Sequence, residues 1–282
     1  MAVKVVTDSV GDVPPQVAEE LGITVVPLFV RFGTEVYRDG VDLTYDEFYH
    51  KLVHSQTLPV TIAPSPGTFA ETYDKLAEET DEIVSIHLSA KLSGTYDSAL
   101  QGRGVARKGC RIEVIDSLFA TAGQGILVIA AAKAAREGAN LDEIVEMVGR
   151  SIPRIHLRAA FDTLEYLRRG GRIGKAQAFL GTMLKVNPIL GIKDGEVFPF
   201  GRERSRSKAI DYLYNFALSF PHIQEMVVGH ATTPDEAEAL VDRLDARFPK
   251  ERIYRLRCGC IVGTHVGPHV ISVCVLEGEG GI

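Results

Sequence analysis

Residues 83–100 read IVSIHLSAKLSGTYDSAL, and the fold turns on how this stretch is read. The run 83–88 is apolar and β-branched, as a buried strand requires. It breaks at 89–94 into serines, a lysine and a glycine, and a helical pattern starts near Thr95. A strand that passes into a helix through a short polar loop is half of a βαβ unit. Working outward, similar runs appear at 3–7, 23–30 and 111–115, with helical patterns near 14–21, 44–54, 67–79, 95–107, 118–137 and 141–152. That alternation predicts a largely parallel sheet, whose ligands gather at the carboxyl ends of its strands. Thr7-Asp8-Ser9, Leu88-Ser89 and Asp116-Ser117 all fall on that edge.

The second half has a different rhythm. Helical stretches near 162–169, 174–186, 205–218 and 233–247 mix with strands near 155–161, 189–192, 196–200, 225–231, 252–257 and 270–276. In ILGIKDGEVFPF, 189–200, two apolar runs are joined by Asp194-Gly195, a strong hairpin signal. Hairpins mean antiparallel pairing. The expectation is therefore an α/β protein of two domains with a ligand between them: 1–154 around a parallel sheet, and 155–282 around a mixed or antiparallel one.

Bulk properties narrow the function classes. The 282 residues carry a formal charge of −6, which argues against a duplex-binding surface. Four cysteines, at 110, 258, 260 and 274, are too few for a disulfide scaffold at this size. The opening MAVKVVTDSV reads as a strand and not as a signal peptide. The most apolar segment, GILVIAAAKAA, is interrupted by Lys133 and is too short to span a bilayer. A cytoplasmic protein with no integral membrane segment is expected.

Several segments carry candidate chemistry. A helix beginning near Gly94 offers unpaired N–H groups, and Ser93 adds a hydroxyl, so an anion would suit the place. Serine also commonly caps its own helix. In PVTIAPSPGTF, Ser65 before Pro66 makes a helix start, which leaves Thr61 in the approach loop without a capping duty. In GTHVGPHV, Gly263, Gly267 and Pro268 suggest a tight loop that aims His265, a residue able to donate a hydrogen bond or to titrate. Against these stand plainer readings. Asp8, Ser9 and Asp12 could bind a metal or satisfy a strand-end loop. Cys258, Cys260, His265 and His269 could hold zinc if 252–262 were a strand, although the cysteine spacing is narrow and free buried thiols are the default. Ser93 and His265 could form a hydrolase pair, yet the nucleophile elbow is missing. Arg168, Arg169, Arg172 and Lys175 surround Gly170-Gly171, a basic turn ahead of an apolar helix, and Arg202, Arg204 and Arg206 form a basic strip that suits a partner or an anionic ligand.

Taken together, VVTDSVGDVPP, APSPGTF, HLSAKLSGTYDSA, VIDS, LRRGGRIGKAQAFLGTMLKVNPIL and GTHVGP resemble the DegV family nearly end to end. That resemblance implies a non-catalytic lipid-binding protein that encloses one long-chain fatty acid, such as palmitate, stearate or oleate, with no cofactor. It implies an ATP-dependent fatty acid kinase subunit as partner, which makes acyl phosphate for phospholipid synthesis. By motif, Thr61, Ser93, Gly94 and His265 would meet the carboxylate. Arg202, Arg204 and Arg206 would dock the kinase. The apolar spacing of Phe179, Leu180, Met183 and Leu184 makes them candidates to line the acyl chain, although a helix facing an ordinary core has the same spacing. The family usually reads Thr-Ser-Gln-Pro where this chain has Thr61-Ile62-Ala63-Pro64.

Overall fold

A computed structural model describes residues 2–107, 109–180 and 186–279. Four strands form a wholly parallel sheet in the order Ile23–Val26, Lys4–Asp8, Glu82–His87, Arg111–Asp116. The crossovers are helices, as the alternating pattern requires. Beyond residue 154 lies a six-stranded sheet in the order Glu196–Glu203, Asn187–Lys193, Ile155–Ala160, Ile271–Glu277, Ile223–His230, Ile253–Arg257. It is antiparallel apart from the final pair, which is parallel. The hairpin turns as its sequence requires: Lys193 faces Glu196, and Asp194 and Gly195 sit at φ +53° and +81°.

Three expectations need correction. The apolar run 23–30 is two strands in different sheets. Pro27 lacks a ladder N–H, and past it Phe29–Phe32 joins Glu35–Arg38 and Val60–Ile62 in a small antiparallel sheet. The stretch 174–186 begins as a 3-10 helix, Gly174–Phe179, entered by Gly174 at φ +52°, and 181–185 lie outside the described residues. Residues 252–262 are a strand, Ile253–Arg257, followed by a helix, Cys260–Val266. Cys258 and Cys260 therefore do not alternate along one strand.

Helix Ala122–Arg136 unites the halves. It is apolar around almost its whole circumference and nearly every residue is buried. Such a helix must be covered on all sides. One side packs on Lys4–Asp8; others meet Ile223–His230, Ile271–Glu277 and Ile155–Ala160. Both large sheets thus feed one apolar core. Lys133 escapes it near the last turn to pair with Glu225 at 2.5 Å. Among the described residues no helix is long and apolar enough to cross a membrane.

The first turn of this helix lies so close to the Ser9–Gly11 turn that a Cβ on Gly125 would overlap the Gly11 carbonyl oxygen. Gly125→Ala is expected to cost about 1–3 kcal/mol through overpacking. Urea unfolding of the variant against the parent measures the loss.

Candidate functional site

The strand-end loops of the parallel sheet face the six-stranded sheet across a cavity of about 240 Å³. Its walls are mainly aliphatic and come from both halves: Val10, Leu28 and Leu88 from one, Leu157, Leu190 and Ile261 from the other. Thr61, Ser93, Gly94 and His265 all line it.

Local structure explains each placement. Thr61 lies on the short strand Val60–Ile62, not in a loop, and pairs with Val30. Side chains alternate across a strand, so Val60 and Ile62 are exposed while Thr61 turns inward. Ser65 takes the capping duty, accepting the Thr68 N–H at 3.2 Å with Pro66 as the first helical residue. Ile62 therefore points outward, whereas Ala63 is a cavity residue. Ser93 precedes helix Thr95–Val105; its Oγ meets Thr95 Oγ1 at 3.0 Å and the Thr95 N–H at 3.3 Å. It thus serves its own helix and faces the cavity as well. A Cβ on Gly94 would meet nothing within 4 Å, so the backbone there is open to approach.

His265 occupies the last turn of helix Cys260–Val266, not a glycine-framed loop. Its Nε2 lies 3.2 Å from Thr61 Oγ1, and its buried Nδ1 has no hydrogen-bond partner among the described residues. Burial, reinforced by the Arg172 guanidinium, pushes its pKa down to about 4. The ring is therefore neutral near pH 7. With Nε2–H donated to Thr61, the threonine hydroxyl keeps its own hydrogen free for an acceptor in the cavity.

Arg172 is the site residue that sequence reasoning left as part of a basic turn. It lines the cavity. Its Nε donates to the Leu92 carbonyl at 3.1 Å and its Nη1 to the Gly170 carbonyl at 2.8 Å. A guanidinium has five donors, so others remain for an anion. Together with Leu92 and Ser93 it also borders an open depression outside the cavity, which marks this end as the mouth. The loop 89–94 is closed down from the other half too, by Ser89 Oγ donating to the Gly195 carbonyl at 2.8 Å. The signal for Arg172 lay in Gly170: its φ is an ordinary −74°, but a Cβ there would strike His265 Nδ1. The glycine is required by space, not by backbone conformation.

The remaining candidates separate. Phe179 packs against the apolar core and Leu180 is 37% exposed; neither is among the cavity residues. Met183 and Leu184 lie outside the described residues. The walls come instead from strands Ile155–Ala160 and Asn187–Lys193 and from helix Cys260–Val266. Arg206 is committed to the fold, bonding Glu236 at 2.6 Å, the His269 carbonyl at 2.7 Å and Asp162 at 3.3 Å. Arg202 and Arg204 are exposed and have no ion-pair partner among the described residues.

The zinc and hydrolase readings find no geometry. Among the described residues no group of three or more His, Cys, Asp or Glu is placed to hold a metal. His265 pairs with Thr61 and not with Ser93, and no carboxylate among the described residues meets its Nδ1. A hydrogen-bonded series of the acid–imidazole–hydroxyl kind does occur elsewhere. Asp8 Oδ2 meets His87 Nδ1 at 2.8 Å, and His87 Nε2 meets Ser85 Oγ at 2.7 Å. All three side chains are fully buried and none touches the cavity, so this series holds strand ends together. Asp8 also accepts the Val10 and Leu88 N–H groups, as the strand-end reading of that motif has it.

Fold and cavity define a class: an α/β protein of two packed sheets with a largely apolar cavity between them, whose mouth is lined by neutral donors and one guanidinium. The family model described as "Uncharacterised protein, DegV family" matches residues 2–278. The chain belongs to the DegV family. A DegV domain-containing protein of Caldanaerobacter subterraneus is 40% identical over 279 residues, 96% of this chain and 97% of its own. A fatty-acid-binding DegV family protein from Thermus thermophilus superposes with a TM-score of 0.91 at 34% identity, covering 99% of this chain and all of its own. DegV of Bacillus subtilis, a fatty acid binding protein, follows at 0.89 and 31%, with 99% and 100% covered.

Two outcomes follow from His265. Gly170→Ala must displace the imidazole, so the affinity of the cavity for a long-chain carboxylate should fall at least about tenfold, as losing a charge-assisted hydrogen bond would do; a calorimetric titration with palmitate measures it. The folded ring resists protonation down to about pH 4, whereas the unfolded chain protonates near 6.5. Stability should therefore be full above pH 6.5 and fall by up to about 3 kcal/mol as pH drops toward 4. Across that window the unfolding midpoint of the parent should fall accordingly, whereas that of His265→Asn should lack this contribution.

Proposed function

We propose that the cavity holds one long-chain fatty acid, with its carboxylate at the mouth against Thr61, Ser93, Gly94, His265 and Arg172. One observation carries the reading: Thr61 and Ser93 from the first half and His265 from the second line the same aliphatic chamber. A chamber walled by leucine, isoleucine and valine favours a chain of methylenes, and its polar mouth favours a single anionic end.

Magnitudes divide the labour. Burying about fourteen methylenes at ~0.8 kcal/mol each provides roughly 11 kcal/mol before ordering costs. Each hydrogen bond to the charged head adds about 1.5–3 kcal/mol. The chain supplies most of the affinity, and the head group fixes direction and depth.

On this reading the protein is a non-catalytic, cytoplasmic carrier that divides into domains at 154 and 155. It presents the carboxylate to an ATP-dependent kinase subunit, which makes the acyl phosphate used in phospholipid synthesis. Two features support presentation over simple storage. The head-group end adjoins a depression bordered by Arg172 and by Lys91, which pairs with Glu196 at 3.8 Å, and Arg202 and Arg204 stand exposed with no ion-pair partner among the described residues. With Arg206 engaged internally, the docking charge falls to those two residues.

Protein purified from a bacterial host should carry a fatty acid in native mass spectrometry. An empty chamber that takes up neither palmitate nor oleate would sink the reading. Ser93→Ala should weaken palmitate binding by roughly tenfold to a hundredfold and reduce acyl phosphate formation with the kinase further still.

A further inference from the structure

The helix that carries His265 is held at its other end by two buried carboxyls from the first 39 residues of the chain. Asp12 Oδ1 accepts the Gly259 N–H at 2.9 Å, and Asp39 Oδ1 accepts the Cys260 N–H at 2.8 Å. These donors open helix Cys260–Val266. A Cβ built on Gly259 would lie 3.0 Å from Asp12 Oδ1, 3.1 Å from Asp39 Oδ1 and 3.1 Å from the Tyr45 hydroxyl. Both carboxyls and a phenol therefore converge on one α-carbon, within the range where like charges interact strongly.

Asp12 and Asp39 are 7% and 3% exposed. Asp12 Oδ2 accepts the Thr121 hydroxyl at 2.8 Å, whereas Asp39 Oδ2 has no hydrogen-bond partner among the described residues. A buried, unpaired carboxylate oxygen is costly, and a proton on one carboxyl of the pair removes the cost. Burial and the nearby Asp8 favour the protonated form of both, and Asp39 adds to this at Asp12. Hydrogen bonds from Gly259 and Thr121 to Asp12, and from Ser9 and Cys260 to Asp39, oppose it without reversing the direction. The other groups facing the pair are Ser9, Tyr45, Tyr49, Cys258 and Cys260, whose phenols and thiols burial keeps neutral, and Arg257 lies beyond, over the tyrosine rings. No cation meets either carboxyl among the described salt bridges.

We propose that Asp12 and Asp39 are positioning residues for His265: a proton held on one of the two carboxyls keeps the first turn of its helix docked, and losing that proton at alkaline pH loosens the grip on the carboxylate at the helix's far end. This rests on the fatty-acid reading of the cavity and adds a pH limit to it. Ionising the second carboxyl sets two negative charges around Gly259, and the seven-residue helix is short enough to shift as a unit. Neither the fatty carboxylate nor His265 changes charge between neutral and alkaline pH, so neither produces the effect.

The test is palmitate affinity, by titration calorimetry, from about pH 6.5 to about pH 9.5 in the parent, Asp12→Asn, Asp39→Asn and His265→Ala. The parent should lose at least about tenfold in affinity over that range. Each asparagine variant holds a neutral side chain of the same shape and should lose far less. In His265→Ala, weaker throughout, the profile should be flat, because the pair acts through that ring; a purely structural role would leave the alkaline loss in place. Tight binding with a flat parent profile, or an alkaline loss that persists in His265→Ala, overturns the proposal and leaves the fatty-acid reading intact. Absence of palmitate binding at every pH removes that reading and this proposal with it.

Discussion

Cover for one helix organises this molecule. Ala122–Arg136 has no polar face to give to water over most of its length, so the parallel sheet and the six-stranded sheet must close on it from different sides. The cavity forms beside its N-terminal end, where Ala120 and Thr121 contribute wall. Thr121 adopts φ +48°, an uncommon conformation for a β-branched residue that costs of order 1–3 kcal/mol. It is held there by its N–H on the Val10 carbonyl at 2.9 Å and its hydroxyl on Asp12. Strain beside the chamber is thus offset by hydrogen bonds in its floor.

The mouth follows a second rule: polar groups from one half are completed by groups from the other. Thr61 meets His265, Leu92 meets Arg172 and Ser89 meets Gly195. None of these pairs two full charges. Hydroxyls, carbonyls, a neutral imidazole and one guanidinium can release a bound anion more readily than an array of cations would.

Much of this was legible from patterns. The parallel sheet followed from alternation, the Asp194-Gly195 turn from its dipeptide, and the Ser65–Pro66 helix start from capping chemistry. Thr61, Ser93, Gly94 and His265 came through motif resemblance, and all four border one cavity. What stayed hidden was decided by tertiary neighbours. Helical spacing in 174–186 pointed to Phe179 and Leu180 as acyl contacts, but a buried helix face reads the same whether it meets a ligand or a core. Arg172 looked like one more member of a basic turn, because nothing local records that Gly170 lies against an imidazole 95 residues downstream. Arg206 matched its neighbours in type yet differs in being spent on Glu236 and Asp162. The Val60–Ile62 strand is only three residues long, too short for periodicity to reveal.

The contacts that complete the site join opposite ends of the polypeptide. Asp12 meets Gly259 across 247 positions, Asp39 meets Cys260 across 221, and Thr61 meets His265 across 204. A ribosome delivers these partners in order, so the early strands must wait, with their apolar edge uncovered, until the final fifth of the chain emerges. Such distant closures are slow and leave sticky intermediates. The chamber therefore closes only after residue 265 has emerged, and a hydrophobic guest present at that moment would help to seal it.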